Sequence, residues 1–152
     1  MRRSRNIDHQ PQSNDGDRAL DQALALMLPI RRQRLQRSER RQRREEQQFR
    51  TCRRQLEQTQ SLLEATRQDY QQRREQFDRH YLGRQPLERL QHGLADERKA
   101  AAAVETGQQQ LLASQQRSEE QQQKLQAAQA ETLRRQRELE KLECLLREQG
   151  EA

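Results

Sequence analysis

The sequence is poor in the material of a compact core. Aromatic residues make up 3% of its 152 positions and hydrophobic residues 30%, whereas a globular domain is nearer half apolar. Helix breakers are scarce as well, with five glycines and three prolines. No apolar run approaches the ~20 residues that a membrane span requires; the longest, residues 23–30, is broken by Pro29. The basic opening with Arg2, Arg3 and Arg5 has no apolar stretch directly behind it, so it is not expected to act as a secretory signal. Cys52 and Cys144 are the only cysteines. In the fold expected below they lie far apart, so no disulfide is expected, and two unpaired thiols suit a reducing cytoplasm.

What is abundant is Arg, Gln, Glu, Leu and Ala, all good helix formers, in a chain that is 36% charged. Such a composition favours a long helix or coiled coil over disorder where a heptad exists. Residues 1–16, with Pro11, Asn14 and Gly16 and no periodicity, read as a disordered tail. Asp17 is placed to cap a helix that starts at Arg18. Pro29 removes a backbone donor and disfavours helix at Leu28, which predicts a kink or a short break. From Leu28 a heptad runs through Leu35, Gln42, Phe49, Leu56, Leu63, Tyr70 and Phe77 at position a. Its d positions, among them Ser38, Glu45, Cys52, Thr59, Thr66 and Arg73, are small or polar. A parallel leucine zipper needs apolar residues at both.

Near the middle, Gly83 and Pro86 lie close together, where Gly suits the end of one helix and Pro the start of the next. The second arm repeats the asymmetry, with Leu90, Val104, Leu111, Leu125, Leu139 and Leu146 at a, and Gly93, Ala100, Gly107, Ser114 and Ala128 at d. Folding the arms antiparallel about Gln85, so that facing residue numbers sum to 170, sets Leu56 against Ser114 and Leu63 against Gly107. It also sets Tyr70 against Ala100, Phe77 against Gly93, Thr59 against Leu111 and Thr66 against Val104. Large meets small in each of these layers, as a dense seam requires. Arg73 would face Glu97 as a register pair, Leu24, Met27, Leu28 and Ile30 would close the open end against Leu139, Leu142, Leu145 and Leu146, and the polar zone around Gln42 and Glu45 would be the weakest. The expected fold is therefore all-α: a long antiparallel two-helix coiled-coil hairpin over residues 17–148 with a disordered N-terminal tail. Its arms cover about 17–82 and 86–148, its tip 83–85, and the second arm frays near Gln149 and Gly150.

Residues 1–84 carry 20 basic and 12 acidic side chains, and residues 85–152 carry 10 and 12. The excess sits in 31–54, with eleven arginines against Glu39, Glu45 and Glu46. That run reads in three ways: a solvated helix surface, a docking face for an acidic protein, or a phosphate-neutralising surface. The last lacks aromatics interleaved with the arginines and a zipper-type dimer behind them, so no specific nucleic acid is expected. At the tip, Tyr81, Leu82 and Leu87 either pack locally or form an exposed patch for a partner. His9, His80 and His92 do not form a metal-ligand spacing with either cysteine. No phosphate-binding loop is present, and the carboxylates fall at helical spacing to arginines, as in Glu39–Arg43, Glu46–Arg50 and Glu131–Arg135. No enzyme, cofactor or metal is expected.

Leu24, Ala25, Leu26, Met27, Leu28, Pro29, Ile30, Arg31, Arg32, Gln33, Arg34 and Leu35 are followed by an arginine-dense first arm, a tip and a Leu-rich C-terminal turn. Over about residues 20–148 this pattern resembles the YscO/FliJ family of type III secretion stalk proteins. Residues 1–16 have no counterpart there, and Pro29 departs from an uninterrupted first helix. The resemblance implies a non-enzymatic cytoplasmic stalk, peripheral to an inner-membrane secretion apparatus. Such a stalk links the export ATPase to the export gate, and some members bind secretion chaperones. It implies that the terminal end, with Leu24, Leu26, Arg31, Arg32 and Arg34, meets the ATPase. The tip end, with Tyr70, Phe77, Tyr81, Leu87 and Leu90, would meet the gate. A monomeric hairpin is expected. The alternatives are a generic coiled-coil scaffold and a basic nucleic-acid-associated coiled coil.

Overall fold

The computed structural model describes residues 10–80, 83 and 86–151, with side chains from Asp15 to Gly150. Two helices account for almost all of it: α1, Gln10–His80, and α2, Leu87–Glu151. They form an all-α helical hairpin. Among the described residues there is no strand, and no helix is long and apolar enough to cross a membrane.

Three expectations about helix limits are corrected. Of the predicted tail, residues 1–9 lie outside the described residues and 10–16 are helical, so Asp17 lies inside α1 and caps nothing. Pro11 falls in the first turn, where the missing N–H has no intrahelical partner to lose. α1 also continues through Pro29, so of the expected kink or short break the break is absent. Pro29 is at heptad position b and exposed, so the carbonyl it leaves without an N–H partner, that of Ala25, faces water on an exposed turn. Finally, α2 runs on through Gln149 and Gly150 to Glu151. Between the helices, Gly83 has φ 115°, the left-handed region expected of it. The carbonyl of Pro86 accepts from Arg89 N at 3.1 Å and Leu90 N at 3.2 Å, closing the first turn of α2.

The chain divides into two compact units, Met1–Arg44 with Gln126–Ala152 and Glu45–Leu125. In the first, Leu142 is 1% exposed, and Ala128, Ser38 and Thr132 are buried. Leu24, Leu28, Leu35, Leu139 and Leu146 are half-buried at further seam positions, as are Asp21, Arg31, Gln42, Arg135 and Gln149. The hydroxyls of Ser38 and Thr132 hydrogen-bond across the helices at 3.0 Å. Their numbers sum to 170, which fixes the antiparallel register of this unit. Thr132 also donates to Ala128 O at 3.0 Å, so its hydroxyl is satisfied in the seam. The closure of the open end is narrower than expected. Met27, Ile30 and Leu145 stay outside the seam at 38%, 49% and 47% exposure. At that end Asp21 Oδ1 and Gln149 Oε1 are buried without a hydrogen-bond partner.

In the second unit, Leu63 is 2% exposed and Ala100, Ser114 and Gln121 are buried. Every other described a or d position from Glu45 to Leu125 except Arg73 and His80 is half-buried. A Cβ built on Gly107 would stand 2.9 Å from Leu63 Cδ1. The glycine is thus a notch for that leucine, in the expected layer. Thr59 meets Ser114 at 3.4 Å, and Gln121 Nε2 donates to the backbone carbonyl of Glu45 at 3.3 Å and to its carboxylate. Arg73 does not pair with Glu97: its Nε donates to Asp69 Oδ2 at 3.0 Å, one turn back on its own helix.

Candidate functional site

The residues expected to meet an ATPase sit on the first unit but do not share one face. Leu24 is half-buried in the seam. Arg31 is half-buried too, and its Nη1 donates to the carbonyl of Glu138 at 2.8 Å. That hydrogen bond ties α1 to α2. Leu26 is 71% exposed. Arg32 is exposed, with Nη2 3.9 Å from Glu143. Arg34 is exposed and has no ion pair among the described residues. Leu26, Arg32 and Arg34 occupy heptad positions f, e and g, which point in three directions.

Of the tip set, Tyr70, Phe77 and Leu90 are half-buried seam residues, Leu87 is 70% exposed, and Tyr81 lies outside the described residues. Beside them is an open polar groove of about 530 Å³, lined by Asp69, Arg73, Phe77, His80, Arg89, Gly93, Asp96 and Glu97. The absent side chain of Gly93 and the i, i+4 pairing of Arg73 with Asp69 both leave room there.

Of the helical charge pairs expected, Glu131–Arg135 closes at 2.9 Å, and Arg134 joins it at 2.7 Å. Hydrogen bonding from Arg134, with the charges of Arg134 and Arg135, holds the Glu131 carboxyl below the usual carboxylate range. Glu39–Arg43 does not close. Cys52 and Cys144 are free thiols, and no group of acidic, His or Cys side chains among the described residues could hold a metal.

The sequence reading missed a second face of α1. Leu20, Ala23, Met27 and Ile30 recur at the spacing of a coiled-coil seam, at positions g and c, and all are exposed. The same two positions continue as Arg34, Arg37, Arg41 and Arg44. The signal was a second 3–4 periodicity beside the first, hidden by treating 23–30 as one apolar run and 31–54 as one basic run. Comparison with protein-family models, curated proteins and solved structures matched none of them.

Proposed function

We propose that this chain is a non-enzymatic, cytoplasmic stalk of a bacterial type III secretion apparatus. It works at the periphery of the inner membrane and links the export ATPase to the export gate, with secretion chaperones as further partners. The observation that carries the reading is the hairpin itself. The helices, of 71 and 65 residues, pair antiparallel within each unit, with Leu63 seated in the notch of Gly107, and such pairing suits a coiled-coil stalk. The resemblance of residues 24–35 and of the arginine-dense first arm to YscO/FliJ stalks supplies the partners. On this reading the ATPase contact uses exposed Leu26, Arg32 and Arg34, whereas Leu24 and Arg31 stabilise the hairpin beneath it. Leu87 and Tyr81 serve the gate.

The test is binding of the purified chain to the export ATPase of the same organism. Arg32→Glu with Arg34→Glu should weaken binding at low salt and leave the helical circular dichroism unchanged, since exposed rim charges act through association and are screened by salt. If no export ATPase of that organism binds the unaltered chain, the stalk reading fails and a generic coiled-coil scaffold replaces it.

A further inference from the structure

In the first unit, α1 spends its a and d positions on α2, and its g and c positions are left open over about 36 Å of helix. This open face has two halves. Leu20, Met27 and Ile30 are 50%, 38% and 49% exposed, with Ala23 between them. Leu145 of α2, 47% exposed, stands at the g position that borders g in an antiparallel pair. Beyond Ile30 the apolar character stops, and Arg34, Arg37, Arg41 and Arg44 follow, none ion-paired among the described residues. The α2 carboxylates on this side, Glu131 and Glu138, are held by Arg134 and Arg135 at 2.7–3.2 Å, so the four arginines stay uncompensated. At the junction of the halves a groove is lined by Met27, Ile30, Arg34, Arg135 and Glu138.

We infer that this face docks an amphipathic helix of another protein, one carrying two heptads of large apolar residues and two heptads rich in Asp and Glu. An apolar row at 3–4 spacing is what a partner helix buries, and four unpaired arginines in line with it call for carboxylates. An antiparallel partner puts its acidic half at its own N-terminus, where the helix dipole favours negative charge. A second copy of this chain does not fit through the same face: a parallel copy sets arginine against arginine, and an antiparallel copy sets arginine against leucine. Nucleic acid would use the arginines and leave the apolar half bare. The inference does not rest on the stalk reading and holds equally for a scaffold.

The test uses the full chain and a fluorescent synthetic helix with a Glu-rich N-terminal half and a Leu-rich C-terminal half. Its control has the same composition, interleaved. By anisotropy the block peptide should bind at least about tenfold more tightly than the control. Arg37→Gln with Arg41→Gln and Arg44→Gln should weaken it about tenfold or more, as should Leu20→Ser with Met27→Ser, both with circular dichroism unchanged. Neutralising Arg43, Arg50 and Arg54, which lie at positions b and f, should change it less than about twofold. Equal binding of the two peptides, equal loss in that control, or no binding at all overturns the inference. A DNA duplex that binds more tightly and displaces the peptide overturns it in favour of phosphate, and a dimer in sedimentation that Leu20→Ser with Met27→Ser dissolves overturns it in favour of a second copy.

Discussion

The sharpest test of the seam is the pair Leu63 and Gly107. A methyl group on Gly107 would meet Leu63 Cδ1 at 2.9 Å, inside the ~3.5–4.0 Å at which carbons attract. Gly107→Ala gains about 1 kcal/mol of helix propensity. It must also push the end of a leucine that is only 2% exposed, at about 0.5–1.5 kcal/mol if that side chain leaves its rotamer. The two effects nearly cancel, and the variant should lie within about 0.5 kcal/mol of the parent. Gly107→Leu adds three more carbons to the same notch and should cost about 1–3 kcal/mol. Leu63→Ala should cost about 2–3 kcal/mol, the low end for a leucine truncation because solvent borders the seam. Combining Leu63→Ala with Gly107→Leu moves the large residue to the other helix and restores the layer. The double variant should be more stable than the sum of the singles predicts, by at least about 1 kcal/mol. Urea titration followed by far-UV circular dichroism measures all four. Additivity to within about 0.3 kcal/mol, or a stabilising Gly107→Leu, would refute the packing argument.

Three other predictions address the register, the open end and the pH dependence. Thr66→Cys with Val104→Cys should form an intramolecular disulfide with helicity retained; efficient linkage of a cysteine at 66 to one placed at Glu97 or Leu111 instead would show a displaced register. Asp21→Leu removes a buried carboxylate oxygen that lacks a partner and extends the apolar a series, so it should raise stability by about 1 kcal/mol in urea titration. The Glu131 carboxyl is depressed by its arginines, so its contribution is present above the ordinary glutamate range and is lost as pH falls through the lower, folded-state value. Acid titration of Glu131→Gln should show a shallower fall in stability across that window than the parent.

Much of the hairpin was legible because its causes are periodic and local. Leu28, Phe49, Leu56 and Leu63 recur every seven residues, and a helix repeats such a row on one face whatever else surrounds it. The register was legible too, since Leu63 and Tyr70 need small partners and the second arm offers Gly107 and Ala100 at the matching distance from the turn. The choices left to the tertiary structure are those in which several local answers cost about the same. Arg73 had carboxylates at Asp69 and Glu97 within reach of a flexible side chain, and the nearer turn won. Arg31 looked like a surface cation until the facing carbonyl of Glu138 came within 2.8 Å. Pro29 was tolerated because pairing with α2 turned its position to solvent, which no local propensity records. The stripe from Leu20 to Arg44 was present in the sequence throughout, but its standing as an open face depended on where α2 lay. Periodicity determines which residues share a side of a helix; only the neighbouring helix decides which side stays uncovered.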